Sequence, residues 1–140
     1  GELNKMKENN VEIKVNESLS VEEVAAVYKE TAFDKPLEDK NRLQEMINHT
    51  PLVFSAWRNG ILLGFARCLT DFEYFCYLSD ILILPAYQKQ GIGKILVDEM
   101  KQYLGSKTTI SLRADEKALG FYKQLDFQPT DKMYRIHREG

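Results

Sequence analysis

The residues of this 140-residue chain best suited to chemistry lie between Gln88 and Lys94. There Gln88-x-x-Gly91-x-Gly93 follows the apolar run Ile81-Leu82-Ile83-Leu84 and Pro85. It precedes Ile92, Ile95, Leu96, Met100, Tyr103 and Leu104, which are spaced as one helix face. A buried strand, a polar loop and a helix start therefore meet at the two glycines. Free N–H groups at a helix start attract anions, phosphate above all. Glycine admits close approach because no Cβ intrudes, and Lys89 and Lys94 add positive charge. A bare Gly-x-Gly is equally served by a tight strand-to-helix turn. Two phosphate loops fail here: a P-loop needs Gly at Gln88 and Ser or Thr at Ile95, and a dinucleotide fingerprint needs Gly at Leu96. Asp80 is the other residue to explain, since a carboxylate inside an apolar run needs a partner or a task.

The elements that must position these residues follow from periodicity and punctuation. Val11, Ile13 and Val15 alternate as a short strand. Ser20-Val21-Glu22-Glu23 reads as a capping box, opening a helix with Val24, Ala25, Tyr28 and Ala32 at helical spacing. A second helix is expected from near Pro36, with Leu43, Met46 and Ile47 inward, ending at Thr50-Pro51. Asn59-Gly60 between Leu52–Arg58 and Ile61–Leu69 predicts a hairpin. Thr70 to Phe75 makes a second turn, and Cys76 to Leu84 is a buried strand. Gly105 caps the next helix, and Thr108 to Arg113 is a strand. Asp115 caps a helix running to about Leu125, with Ala118, Leu119, Tyr122 and Leu125 inward, and Lys132 to His137 is a last strand. The order β-α-α-β-β-β-α-β-α-β gives an α/β fold of mixed type: a central, mostly antiparallel sheet with helices on both faces.

Composition narrows the function classes. Nineteen basic and 21 acidic residues leave a net charge of −2, which gives no footprint for nucleic acid or an anionic membrane. No apolar run reaches the ~18 residues of a membrane helix. Cys68 and Cys76 form neither a disulfide framework nor a metal pattern, so no metal is expected and a reduced, cytoplasmic protein is. A turn centred on Phe72 would set the two cysteines opposite each other on neighbouring strands as free thiols. Gly1 is not a natural start. Residues 1–5 read as foreign to the natural chain, Met6 as its start, and 6–140 as a single domain.

Gln88, Gly91 and Gly93 together resemble the acyl-CoA signature Gln/Arg-x-x-Gly-x-Gly/Ala of the GCN5-related N-acetyltransferase (GNAT) superfamily. Pro85-Ala86-Tyr87 is similar to that family's approach to the loop, and the run from Ala118 to Phe127 resembles its A-x-x-F-Y-x-x-L-G-F helix. Three positions depart from the pattern: Asp126 replaces Gly, Lys89 replaces a common Gly, and Asp115 stands where Asn often contacts the cofactor. Asp tolerates the left-handed conformation, so Asp126 should still end the helix.

The resemblance implies acetyl-CoA (coenzyme A) as cofactor and a primary amine of a small molecule or peptide as acceptor. Nucleic acid and membrane are not expected partners, and the protein would be a monomer or homodimer. The loop Gln88, Lys89, Gln90, Gly91, Ile92, Gly93 and Lys94 would cradle the pyrophosphate. Pantetheine would pair with the backbone of Ile81, Leu82 and Ile83, with Asp115 and Tyr122 also at the cofactor. Tyr122 would be the general acid. Asp80 would serve either as a structural acceptor at a strand bulge or as a base working through water, with Glu30, His49 and Glu73 as alternative bases. Phe33, Arg67, Phe72, Glu73 and Tyr74 would wall the acceptor site, Arg67 binding an acidic group or pairing with Asp71. A non-catalytic acyl-CoA-binding regulatory module would keep the loop and need no acid at Tyr122; an interaction domain would bind no ligand there.

Overall fold

The computed structural model describes residues 10–31 and 34–140. Strand β1 (Glu12–Val15) is followed by helices α1 (Val21–Thr31) and α2 (Lys40–Asn48), then by strands β2 (Leu52–Arg58), β3 (Ile61–Thr70) and β4 (Phe75–Ile83). Helix α3 (Ile92–Leu104), strand β5 (Thr109–Leu112) and helix α4 (Leu119–Gln124) complete it. The sheet order is β1-β2-β3-β4-β5, antiparallel except for the parallel β4–β5 pair.

Local signals account for most boundaries. Ser20 and Glu23 exchange side-chain and backbone hydrogen bonds of 3.1 and 3.0 Å, so the capping box forms as expected. Asn59 and Gly60 have φ of 51° and 76°, the paired left-handed residues of a tight hairpin turn. Gly105 caps α3 at φ 82°, and Asp126 takes φ 67° at the end of α4.

Helices cover both faces. Val24, Val27, Tyr28 and Leu43 pack with Phe65 and against Val53, Leu62, Leu82 and Leu84. On the opposite face Ile92, Leu96, Val97 and Met100 of α3 and Leu125 meet Leu52, Phe54, Leu63, Cys68, Cys76 and Leu78. One irregularity decides which β4 residues face which layer. Arg67 pairs with Asp80, but Cys68 pairs with Leu78, leaving Ser79 as the extra residue of a bulge. Before it Cys76 and Leu78 face α3; after it Ile81 and Ile83 do, while Leu82 and Leu84 turn to α1 and α2.

Four expectations are corrected. Helix α2 begins at Lys40, not near Pro36, because Asp39 supplies the cap, accepting from Arg42 N at 3.0 Å. The stretch after Asp115 is a 3-10 turn (Glu116–Ala118) and then the short α4, rather than one continuous helix. The β3–β4 register sets Cys68 opposite Leu78 and Cys76 opposite Thr70, so the cysteines are diagonal rather than direct neighbours. The cause is Asp71, whose carboxylate accepts from Glu73, Tyr74 and Phe75 N and centres the turn one residue later. Finally, residues 132–137 form no strand. Tyr134 and Ile136 are fully exposed, and the tail is drawn toward the α1–α2 segment by Arg138 on Asp34 and Arg42 on the Gly140 carbonyl. The alternation is not matched by a ladder to any strand, although the outer edge of β5 is unpaired among the described residues.

Candidate active site

The site begins where β4 and β5 part. Their parallel ladder runs from Phe75–Thr109 to Leu78–Leu112. β5 ends there, while β4 continues through the bulge to Ile83. From Ser79 onward β4 has no strand partner on its β5 side among the described residues. A strand edge without a ladder presents N–H and C=O groups to whatever enters the gap. Ile81, Leu82 and Ile83 supply that edge.

The loop above the gap is built from several constraints. A 3-10 turn at Pro85–Tyr87 redirects the chain, and Gln88 Nε2 donates to Ile83 O at 2.9 Å, tying the loop to the strand end. Lys89 and Gly91 are both left-handed, at φ 64° and 82°. Gly91 caps α3 with no side-chain hydrogen bond, and the first intrahelical bond runs from Ile95 N to Gly91 O at 3.1 Å. The N–H groups of Gly91, Ile92, Gly93 and Lys94 are thus left for a ligand or solvent. The two glycines differ in purpose. A Cβ on Gly91 would meet nothing within 4 Å, whereas one on Gly93 would lie 2.6 Å from the Phe121 ring. Gly93 lets α4 pack on the start of α3; Gly91 supplies the backbone turn.

Charge near the loop also differs from expectation. Lys94 is taken by Asp98 at 2.7 Å. Arg58, which no sequence signal singled out, reaches the loop from the end of β2: its Nη1 donates to Gln90 Oε1 at 3.1 Å. Its Nε is buried without a hydrogen-bond partner among the described residues.

Tyr122 lies on α4, half-buried, edge-on to Phe121 at 5.2 Å and to Phe127 at 5.9 Å. Burial, then the charges of Asp80 and Asp115, raise its pKa, so the phenol keeps its proton at neutral pH. Asp115 itself caps the 3-10 turn by accepting from Lys117 N at 3.0 Å.

Asp80 sits at the foot of the gap, 7% exposed. Tyr28 and Arg67 both donate to its Oδ2, at 2.6 and 2.8 Å, and Lys35 reaches Oδ1 at 2.9 Å. Burial alone would raise its pKa, but Arg67, Lys35 and the Tyr28 hydrogen bond outweigh it and hold the carboxyl below the usual range. Of the two roles weighed for Asp80, this geometry favours the structural acceptor at a bulge. Arg67 is accordingly neither a wall for an acidic ligand nor the partner of Asp71. Its fork is spent on Asp80, Ser79 Oγ (2.9 Å) and Thr50 Oγ1 (3.1 Å).

The other acceptor candidates are scattered. Phe33 lies outside the described residues. Phe72, Glu73 and Tyr74 form the β3–β4 turn, at the start of β4 and so at the far end of that strand from the loop. At about 3.3 Å per residue they lie well over 10 Å below Asp80. His49 is exposed and pairs with Glu45 of its own helix, and Glu30 is exposed on α1. The structure brings together Tyr122, Asp80, the β4 edge and the loop, and leaves the acceptor walls apart.

A family model described as the acetyltransferase (GNAT) family matches residues 18–127. The chain belongs to that family. The chloroplastic GCN5-related N-acetyltransferase 3 of Arabidopsis thaliana is 31% identical over 100 residues, 68% of this chain and 40% of that protein. The uncharacterized N-acetyltransferase ycf52 of Gracilaria tenuistipitata var. liui is 35% identical over 78 residues, 54% of this chain and 43% of that one. This chain spans less than half the length of such relatives. Among solved structures, a GNAT-family acetyltransferase from Streptococcus pneumoniae TIGR4 superposes with a TM-score of 0.76 at 25% identity, covering 92% of this chain and 99% of that one. The aminoglycoside N-acetyltransferase AAC(6')-Iy, solved with CoA, shares the fold at a TM-score of 0.71 and 16% identity, covering 94% of this chain and 96% of that one.

Proposed function

We propose that this protein transfers an acetyl group from acetyl-CoA to a primary amine of a small molecule or peptide. The observation that carries this is the parting of β4 from β5 directly below a helix start whose N–H groups are free. The residues present fit the cofactor: an unladdered strand edge suits the amides of pantetheine, and the donors of residues 91–94 suit a pyrophosphate. When bound, acetyl-CoA supplies a thioester carbonyl to a neutral amine and departs as a thiolate. A β4 N–H aimed into the gap stabilises negative charge developing on the carbonyl oxygen. Tyr122 holds a proton for the departing sulfur, and its pKa, raised by burial, means that the phenol is fully protonated across the neutral range. An alkylamine, with a pKa near 10.4, must first lose a proton. Asp80, already shared by two cations and a phenol, is a poor receiver for it; that proton passes to water, and the second proton, which the nitrogen loses as the amide forms, balances the one Tyr122 gives to sulfur.

The test is thermal unfolding with CoA, acetyl-CoA and pantetheine, followed by a thiol-release screen of polyamines, arylalkylamines, amino acids and lysine peptides. Cofactor at 100 times its Kd should add about 2.7 kcal/mol of stability. Absence of any shift with millimolar CoA overturns the proposal. Stabilisation without turnover of any amine identifies a non-catalytic acyl-CoA-binding module instead.

A further inference from the structure

The carboxylate of Asp80 joins four parts of the chain: Tyr28 of α1, Lys35 of the α1–α2 segment, Arg67 of β3, and its own strand at the bulge. Arg67 extends the cluster to Ser79, the extra residue of that bulge, and to Thr50, just ahead of β2. Lys35 also lies over the Tyr28 ring, 5.3 Å from its centroid. Apart from Lys35, whose side chain is 19% exposed, little of the Asp80–Arg67–Lys35 core meets solvent.

The bulge has a direct consequence for the gap. In a strand, alternate residues offer their N–H and C=O to opposite edges. One extra residue exchanges the set that faces the gap, and turns Asp80 away from the apolar α3 layer toward Tyr28. Pairing Asp80 with Arg67 and Tyr28 is what makes that exchange favourable. A regular strand would leave this carboxylate among Cys76, Leu78 and Met100 without a partner.

We infer that Asp80 is a positioning residue for acyl transfer, and that Lys35 is the latch docking residues 34–39 onto β4. This rests on the acetyl-CoA reading only for its kinetic consequences; the docking itself is a property of the free protein. The groups facing Asp80 are Tyr28, Lys35 and Arg67, and its charge in turn reaches Tyr122 of α4.

Lys35→Met, Asp80→Asn and Arg67→Lys test it. Hydrogen exchange needs no ligand: in Lys35→Met, residues 34–39 should exchange faster by about fivefold, the worth of one partly exposed ion pair, while α3 and β2 are unchanged. Kinetics use tyramine and spermidine as acceptor probes; Lys35→Met leaves Tyr28 and Arg67 on Asp80, so its CoA affinity should change less than that of Asp80→Asn. Asp80→Asn should weaken CoA binding about tenfold or more and leave the shape of the acid limb of the kcat–pH profile as in the wild type. Arg67→Lys, which retains the charge but loses the fork, should weaken CoA binding in the same direction; it serves where Asp80→Asn does not fold. The inference is overturned by unchanged exchange at 34–39 in Lys35→Met. It is equally overturned by an Asp80→Asn enzyme that binds CoA normally and has lost its acid limb, which would make Asp80 the base. Failure of the acetyl-CoA reading looks different: wild-type protein binds no CoA, yet Lys35→Met still loosens residues 34–39.

Discussion

Gly64→Ala is a small change that should move β4. Gly64 is buried in β3, opposite Ile83 of β4 and Ala56 of β2. A Cβ there would lie 2.2 Å from Leu82 O and 2.9 Å from Ile83 Cα. Both are backbone atoms, so no rotamer change relieves the clash. Reaching ordinary contact needs a displacement of about 1 Å between the strands. Overpacking a core costs about 1–3 kcal/mol, and the upper end applies where backbone must yield. At roughly 4 °C per kcal/mol for a chain of this size, the Tm should fall by about 10 °C. CoA affinity should fall further than the Tm alone suggests, because the displaced atoms belong to the end of the strand edge that borders the gap. Differential scanning calorimetry and CoA titration measure both. Gly60→Ala is the control: its Cβ meets nothing within 4 Å, and only the left-handed backbone at φ 76° opposes it, at about 1–2 kcal/mol. A Gly64→Ala protein with a Tm within about 2 °C of wild type and unchanged CoA affinity would refute the close seating of β4 on β3.

Tyr122→Phe keeps the ring contacts and removes a hydroxyl with no hydrogen-bond partner among the described residues, so its Tm should match wild type while kcat on an identified amine falls about 100-fold, read by thiol release. Gly93→Ala displaces only the end of the Phe121 ring, so it should cost about 1 kcal/mol and leave CoA affinity within a few-fold, measured by melting and calorimetry. Because the Asp80 pKa is lower folded than unfolded, the stability it contributes is present above about pH 4 and is lost as pH falls through the folded value; the acid slope of denaturant unfolding should be shallower in Asp80→Asn. Cys68 and Cys76 are free and fully buried, and the proximity of Cys76 together with burial pushes the Cys68 thiol up; iodoacetamide should label neither in native protein and both after denaturation, by mass spectrometry.

What could be read before folding was whatever a few neighbouring residues decide among themselves. Ser20 and Glu23, Asn59-Gly60, Gly91, Gly105 and Asp126 each set their own backbone, and each element they bound forms. Where three-dimensional partners decide, the sequence was silent. Residues 132–137 alternate like a strand but pair with none, and the cysteine register turned on three amides gathered by Asp71. Arg58 gave no signal because its relation to Gln90 spans 32 positions.

The bulge at Ser79 belongs to the second kind, and the site depends on it. Cys76-Tyr77-Leu78-Ser79-Asp80-Ile81-Leu82-Ile83 reads as an uninterrupted buried strand, and nothing in its hydrophobicity marks a residue to be skipped. The one sign is the carboxylate itself. Asp80 has no tolerable place in a regular β4, because the face it would occupy is lined by Cys68, Cys76, Leu78 and Met100. It becomes stable only when one residue is left unpaired and its side chain reaches Tyr28, Arg67 and Lys35. Asp80 drew attention as a candidate base because it was polar where polarity is costly. The same cost, met by pairing with Tyr28, Arg67 and Lys35, accompanies the bulge that exchanges the backbone amides of β4 facing the gap.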